Sequence, residues 1–419
     1  MNVLAVHEKA QVIQFRQLDD TEQEQLKDSN VDSYKETVPA VIKVVSTGGA
    51  GANALNRMIE TRLPGVEFIS INTDIQDLRA KSKAPVKVQI GVKITGGRGA
   101  GGVPEKGEKA ALEDQEAIAS VLAGADMVFL AAGMGGGTGT GSAHVIARIA
   151  KNLGALTVAV VTTPFEYEGR YKKKLAMEGI AKLTGEVDAI IIIPNQHLFK
   201  IIDSNTTWDE AYIQADKVLC LGVQGIAGLI TEVGFQNVDF ADVETIMKGK
   251  GQALLGIGSG KGENRAADAV TNAIDNPLLE DTNIEGATGV LVNIRAATQL
   301  KMVEINTILK TIKDKCDPDA LIIHGLSIDP TLEDSIQLTI IATGFDSASR
   351  GEAKSAAGKK TADTELFDFT KYVQKQEKKE YLSFLPPKEF HEDLDVPSVI
   401  RNYSSIKEEK QEIDKAENG

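Results

Sequence analysis

The sequence predicts an α/β protein built on a doubly wound parallel sheet, followed by a long central helix and a smaller α+β domain. Three observations carry this. Short runs that are apolar on both faces alternate with helical patterns through the first half. One long stretch of apolar residues at spacings of three and four comes next, and the strands beyond it are grouped around fewer helices. Strands apolar on both faces need covering on both faces, which is the situation of parallel strands in a βα alternation. With 419 residues, the chain exceeds the size at which one core usually stops growing. Its 42% hydrophobic but only 5% aromatic content suits an aliphatic, sheet-centred interior.

Residues 1–38 are polar and aperiodic, and are expected to be a disordered extension. A first domain is expected over 39–206, with strands at VIKVVST (41–47), VEFISINTD (66–74), DMVFLAAG (126–133), LTVAVVTTPF (156–165) and DAIIIIPN (188–195). Residues 207–234 read as one helix. Thr207 and Glu210 have capping-box spacing, while Gly222, Gly225 and Gly228 each cost about 1 kcal/mol against alanine unless close packing offsets it. A helix this apolar is expected to lie between two domains, covered from both sides. The second domain, 235–346, should hold helices near Asp242, at 265–275 and in TQLKMVEINTILKTIKDKC, with strands in GVLVNIRA, ALIIHGLSI and SIQLTIIATGF. Residues 347–391 read as a flexible linker and 392–419 as a tail.

A net charge of −14 opposes electrostatic binding to nucleic acid, whose phosphates would be repelled. Cys220 and Cys316, the two cysteines, have no metal-ligand or redox-pair spacing, so no metal site is expected from them and a reducing cytoplasm fits. The N-terminus lacks a basic stretch followed by a sustained apolar segment, and no run approaches about 18 apolar residues, so direct membrane insertion is not expected.

Three glycine tracts carry the chemistry. Gly48-Gly49-Ala50-Gly51-Ala52-Asn53-Ala54 follows a strand and opens a helix, a form shared with dinucleotide-binding turns, and Asp74 at the end of the next strand could supply a ribose-binding acid. The second tract, Gly133 to Ser142, is more specific, with six glycines in nine residues followed by the helix AHVIARIAKNLG. Glycine lets successive N–H groups approach an anion, the helix N-terminus favours negative charge, and Thr138 and Thr140 can add hydroxyls. A third tract, Gly96 to Glu105, could close over a terminal phosphate or be an ordinary surface loop. No lysine-bearing phosphate loop occurs: Gly256 to Lys261 is one residue short, and Gly262 replaces the hydroxyl.

GMGGGTGTGSA, with INTDIQDL before it and NVDFADVETIM after it, resembles FtsZ, the tubulin-related bacterial division GTPase. The match covers about residues 40–345 and includes VTTPFEYEGR, IPN, GVQGI, GIGSGKGENRA and NPLLE in the family's order. The resemblance implies a cytoplasmic GTPase that binds GTP or GDP with Mg²⁺ and assembles head to tail with itself at the division site beneath the inner membrane. It implies phosphate binding by Gly48, Gly49, Ala50, Gly51, Ala52 and Asn53 and by Gly136, Gly137, Thr138, Gly139 and Thr140. Glu168 would hold the ribose, Lys172 would belong to the same GTP-binding set, and Asn195, Tyr212 and Asp216 would hold the guanine. That assignment is chemically sound, since a carboxylate accepts from the N1 and N2 donors of guanine and an aromatic face stacks on the ring. Lys172 stands where the family usually has arginine, Val103 where it has asparagine, His144 where it has proline, and Gln196 where it has aspartate.

Asn237, Asp239 and Asp242 match the family's catalytic loop, although an aspartate before FADVETIMK would also cap a helix. From Tyr212 to Val233 is about 21 residues, or roughly 32 Å of helix, so acids beyond its end cannot reach the nucleotide held at its start. They would act on a neighbour's. A contact of this kind uses two different surfaces and propagates into a filament. Two other classes remain open. A nicotinamide-dependent oxidoreductase would use the first glycine turn but leaves GGGTGTG without a purpose, and a GTP-binding module without hydrolysis would be expected to lack Asp239 or Asp242.

The tail residues Asp395, Val396, Pro397, Val399, Ile400 and Arg401 resemble the FtsZ peptide that docks on membrane adaptors and division regulators. Val399 and Ile400 are smaller than the usual pair, and a charged extension follows.

Overall fold

The computed structural model describes residues 40–345, apart from 62, 201, 203–204, 232–237, 277–283 and 298–299. The expected N-terminal extension, the linker, the tail with Asp395 to Arg401, and Asn237 lie outside the described residues.

The first half alternates as expected. Strand β1 (Ile42–Thr47) leads into α1 (Gly48–Glu60), β2 (Val66–Asn72) into α2 (Ile75–Ala80), and β3 (Val86–Gln89) into α3 (Val92–Thr95), α4 (Pro104–Glu113) and α5 (Gln115–Leu122). Then come β4 (Met127–Gly133), α6 (Thr138–Asn152), β5 (Leu156–Thr163), α7 (Arg170–Thr184) and β6 (Ala189–Pro194). These six strands are mutually parallel, in the order β3-β2-β1-β4-β5-β6. One core cluster fills each face: Val44, Phe129 and Val158 point to one side, Val45, Leu130 and Ala159 to the other. This is why the strands read as continuous apolar runs rather than alternating ones.

The central helix α8 (Trp208–Thr231) begins as its sequence foretells: the Thr207 N–H donates to Glu210 Oε2 at 2.8 Å, and the Glu210 N–H reaches Thr207 Oγ1 at 3.4 Å. Its apolar face joins the same core cluster as Val160 of β5 and as Leu255, Leu291 and Ile341 of the second half. A Cβ on Gly225 would come within 2.6 Å of Thr339 Cγ2, and one on Gly222 within 3.0 Å of Leu255 Cδ2. Close packing does offset the glycines there. Although α8 is long and apolar enough to cross a membrane, its burial marks it as a core helix.

Beyond it lie α9 (Phe240–Met247), β7 (Gly251–Lys261), α10 (Arg265–Ile274), β8 (Gly289–Ala296), α11 (Met302–Lys313), β9 (Leu321–Ile328) and β10 (Ser335–Thr343). These strands do not form a sheet of their own. β7 pairs in parallel with β6 and antiparallel with β10, which pairs with β8 and then β9, extending one sheet to ten strands.

Strand β7 was not expected from the sequence. Its glycines, Gly256, Gly258 and Gly260, alternate along one face, and a Cβ on each would collide with the backbone oxygen of Ala273, Ala269 or Arg265 of α10. The period of two is therefore a strand signal in which the missing side chains make room for a helix lying directly on the sheet.

Candidate functional site

In an open α/β sheet, ligands bind beyond the carboxyl ends of the strands where the strand order reverses. Here that point lies between β1 and β4, which are paired along their length from Ile42↔Met127 to Thr47↔Ala132. Both strands end in a glycine turn that opens a helix, α1 after β1 and α6 after β4. Two helix N-termini thus converge on one crevice, where backbone N–H groups and helix dipoles favour an anion. The turns touch, since a Cβ on Gly48 (φ +73°) would sit 2.9 Å from the Gly139 nitrogen.

The crevice is a cleft of about 280 Å³. Its lining brings together Gly48, Gly49, Ala50, Gly136, Gly137, Thr138, Gly139, Glu168, Lys172, Asn195 and Tyr212 of the sequence-derived set. Gly51, Ala52, Asn53, Thr140 and Asp216 stand behind or beside it. Gly51 is where α1 presses on β4, for a Cβ there would meet the Ala131 carbonyl oxygen at 2.5 Å. Ala52 is buried and Asn53 exposed on α1. The Thr140 hydroxyl braces the second turn by accepting from the Gly135 N–H at 2.8 Å, while Thr138 Oγ1 lies 2.6 Å from Thr73 Oγ1.

At one edge of the cleft, Glu168 closes a 3₁₀ turn, Glu166–Glu168. Its Oε1 accepts from the Phe165 N–H at 3.0 Å, and its Oε2 pairs with Lys172 Nζ at 3.1 Å. The cation in the arginine position is thus held by a neighbouring carboxylate. Gln196 has a local task as well, accepting from the Glu166 N–H at 3.0 Å. Asn195, which lines the cleft, is buried, and its Oδ1 has no hydrogen-bond partner. A ligand donor would satisfy it.

Tyr212 lies one turn into α8. Burial first, then the Tyr167 hydroxyl and the Glu168 charge, hold its hydroxyl protonated far above the usual tyrosine range. One turn further along, Asp216 Oδ2 lies 3.3 Å from Arg57 Nε of α1. Burial pushes the Asp216 carboxyl up to about 6, against the pull of the Arg57 hydrogen bond and charge. Arg57 escaped the sequence reading because nothing in its spacing links it to a residue 159 positions away.

The third glycine tract rests on the second. Gly96, Gly97, Gly99, Gly101 and Gly102 all have positive φ, and a Cβ on Gly137 would lie 2.8 Å from Ala100 Cβ and 2.9 Å from the Val103 nitrogen. Asp74, the acid an oxidoreductase would need, instead caps α2 by accepting from the Gln76 and Asp77 N–H groups. His144 fills the proline position as a buried side chain, its Nε2 3.4 Å from Glu108 Oε1.

Asp239 and Asp242 are not at the cleft. Both are exposed. Asp239 caps α9, accepting from the Ala241 N–H at 3.3 Å, and Asp242 stands in that helix's first turn. The Val238 N–H reaches the Leu229 carbonyl, which fixes this loop at the far end of α8. Leu229 and Tyr212 are separated by roughly 26 Å of helix.

Residues 41–203 match the model of the Tubulin/FtsZ family, GTPase domain, and residues 251–346 that of the FtsZ family, C-terminal domain. Among solved structures, the empty FtsZ dimer of M. jannaschii is 43% identical over 78% of this chain and 93% of its own, with a TM-score of 0.71. The GDP-bound monomer of CetZ1 from Haloferax volcanii is 22% identical over 74% of this chain and 96% of its own, with a TM-score of 0.63. CetZ2 from Haloferax volcanii, a GTPgS-bound protofilament, is 19% identical over 81% and 99%, with a TM-score of 0.61. At those identities the CetZ structures speak to the fold alone.

Proposed function

This chain belongs to the FtsZ family and is a GTPase of the tubulin-like kind; from that premise we propose that it polymerises head to tail into the filaments of a cell-division ring and hydrolyses GTP at the junction between subunits. The observation that supports this reading is the separation of the cleft from Asp239 and Asp242 by the length of α8. An acid at the far end of a rigid rod serves a neighbour stacked on the cleft more readily than its own subunit. The M. jannaschii relative, a dimer, is consistent with assembly.

In this reading the glycine turns hold the phosphates, Glu168 the ribose, and Asn195, Tyr212 and Asp216 the guanine. Asp239, Asp242 and Asn237 of the next subunit complete the site, the carboxylates orienting and polarising the attacking water, since positioning and electrostatics dominate phosphoryl transfer. Among the described residues no group of three or more His, Cys, Asp or Glu side chains could hold a metal. Mg²⁺ would accompany the nucleotide held by the two glycine turns, where it would supply charge neutralisation on the phosphates. The filament would work in the cytoplasm at the division site beneath the inner membrane, reached through an adaptor that binds Asp395 to Arg401.

GTPase rate against protein concentration tests the core of this. The rate per subunit should be negligible at high dilution and rise steeply above a threshold. A constant rate per subunit down to the monomer would defeat it.

A further inference from the structure

Five aromatic side chains gather beside the cleft. Phe165 is buried, and its ring stacks on Tyr167 with centroids 5.2 Å apart and meets Tyr212 edge-on at 5.3 Å. Phe199 meets Phe165 edge-on at 5.6 Å. Tyr167 donates its hydroxyl proton to the Tyr212 oxygen at 3.0 Å. Trp208, four residues before Tyr212 and so on the same face of α8, lies across it with centroids 4.9 Å apart.

Core packing accounts for Phe165. It does not account for Trp208 and Tyr167, which remain 67% and 58% exposed. Large rings left this open gain little from burial, and their contacts here converge on Tyr212, the one member of the set that lines the cleft.

We propose that Trp208 and Tyr167 are positioning residues for the base-stacking ring: they fix the Tyr212 side chain in its binding orientation before nucleotide arrives. A tyrosine free to change rotamer must be ordered when a base stacks on it, and that ordering weakens binding. Here the hydroxyl is tied by Tyr167, and the ring is flanked by Phe165 and Trp208. Tyr167 belongs to the same 3₁₀ turn as Glu168, so its hydroxyl also ties the ribose-side turn to the base-side helix. The inference rests on Tyr212 being the residue that stacks on guanine.

Trp208 is the chain's single tryptophan, which makes the test direct. Titrating the full-length protein with GDP, at concentrations below assembly, should change the tryptophan emission saturably, with the midpoint found by equilibrium dialysis. Trp208→Ala and Tyr167→Phe should each weaken GDP and GTP binding by a common factor of about three to ten, the range of aromatic-pair energies. The melting temperature of the nucleotide-free protein should fall by no more than about 2–4 °C, KM for GTP should rise by the same factor, and Trp208→Phe should restore most of the affinity.

Tyr167→Phe keeps its ring stack and so remains informative should Trp208→Ala fold poorly. If the wild-type protein binds no guanine nucleotide, the functional reading fails. If Tyr212→Ala abolishes tight binding while Trp208→Ala and Tyr167→Phe bind GDP like the wild type, the reading stands and the positioning proposal is overturned. A Trp208→Ala variant that assembles poorly at unchanged GDP affinity would also overturn it, assigning the ring to subunit contact instead.

Discussion

Arg57 Nε lies 3.3 Å from Asp216 Oδ2, so the helix opened by the first glycine turn reaches across to the helix that carries Tyr212. The pair does not bring Asp216 back to its ordinary titration range, because burial raises the carboxyl from 3.8 to about 6. Reading guanine's N1 and N2 donors requires the ionised form. GDP affinity should therefore fall as pH drops through about 6, and Asp216→Asn should remove that dependence along with most discrimination against ATP. Linkage has the opposite sign. A folded-state value above the unfolded one contributes stability that is complete below 3.8 and lost as pH rises through about 6. Weak binding at pH 5 thus cannot be assigned to unfolding driven by this group. Nucleotide competition by equilibrium dialysis between pH 5 and 8 checks the prediction, and a flat wild-type profile would refute it.

The glycines of the two turns separate into structural and ligand-facing ones. A Cβ on Gly139 would meet the Gly133 carbonyl at 2.7 Å and one on Gly51 the Ala131 carbonyl at 2.5 Å, so either alanine forces a backbone shift. Each should cost about 1–3 kcal/mol of stability and lower the melting temperature. Gly136 lines the cleft but has no protein atom within 4 Å of its would-be Cβ. Gly136→Ala should keep the wild-type melting temperature and lose nucleotide affinity. Equal melting losses at all three positions would contradict the distinction.

What the sequence disclosed and what it hid follow from the same physics. Strands β1, β4, β5 and β6 were legible because both faces are buried, and the Thr207–Glu210 box marked the start of α8. Strand β3 was not, since Val86–Gln89 has only Val88 buried. Strand β7 was missed because alternating glycines resemble a loop until α10 is seen lying on them. Within the cleft, the two turns that line it could be named from glycine density. The side-chain ties could not, because Arg57 with Asp216, Thr73 with Thr138 and Tyr167 with Tyr212 are all contacts between distant segments.

Asp239 performs a structural task whatever its chemistry, and the two can be separated. Asparagine caps a helix about as well as aspartate, whereas alanine costs about 1 kcal/mol. Asp239→Asn should therefore melt like the wild type, bind GTP, and hydrolyse it far more slowly, with filaments that persist. Asp239→Ala should do the same with an added stability loss. Mixed with a nucleotide-binding-defective subunit that keeps Asp239, either variant should regain GTPase activity that neither partner shows alone. An inactive mixture despite demonstrated co-assembly would exclude the shared site.

Deleting residues 391–419 should leave nucleotide binding and GTPase activity close to those of the full chain while abolishing capture by a membrane adaptor. Loss of GDP binding in that truncation would place the tail's contribution inside the folded part.

The continuous sheet is also a mechanical object. Its two halves are stitched where β6 meets β7, over three residue pairs from Ala189↔Gly251 to Ile191↔Ala253, whereas β7 and β10 are zipped over eight. A load carried along a filament would pass from one half to the other through this short stitch and through the flank of α8. The ladder is shortest at Gly251–Ala253, so the backbone hydrogen bonds resist such a load least there, and the shared packing along α8 would have to carry the rest.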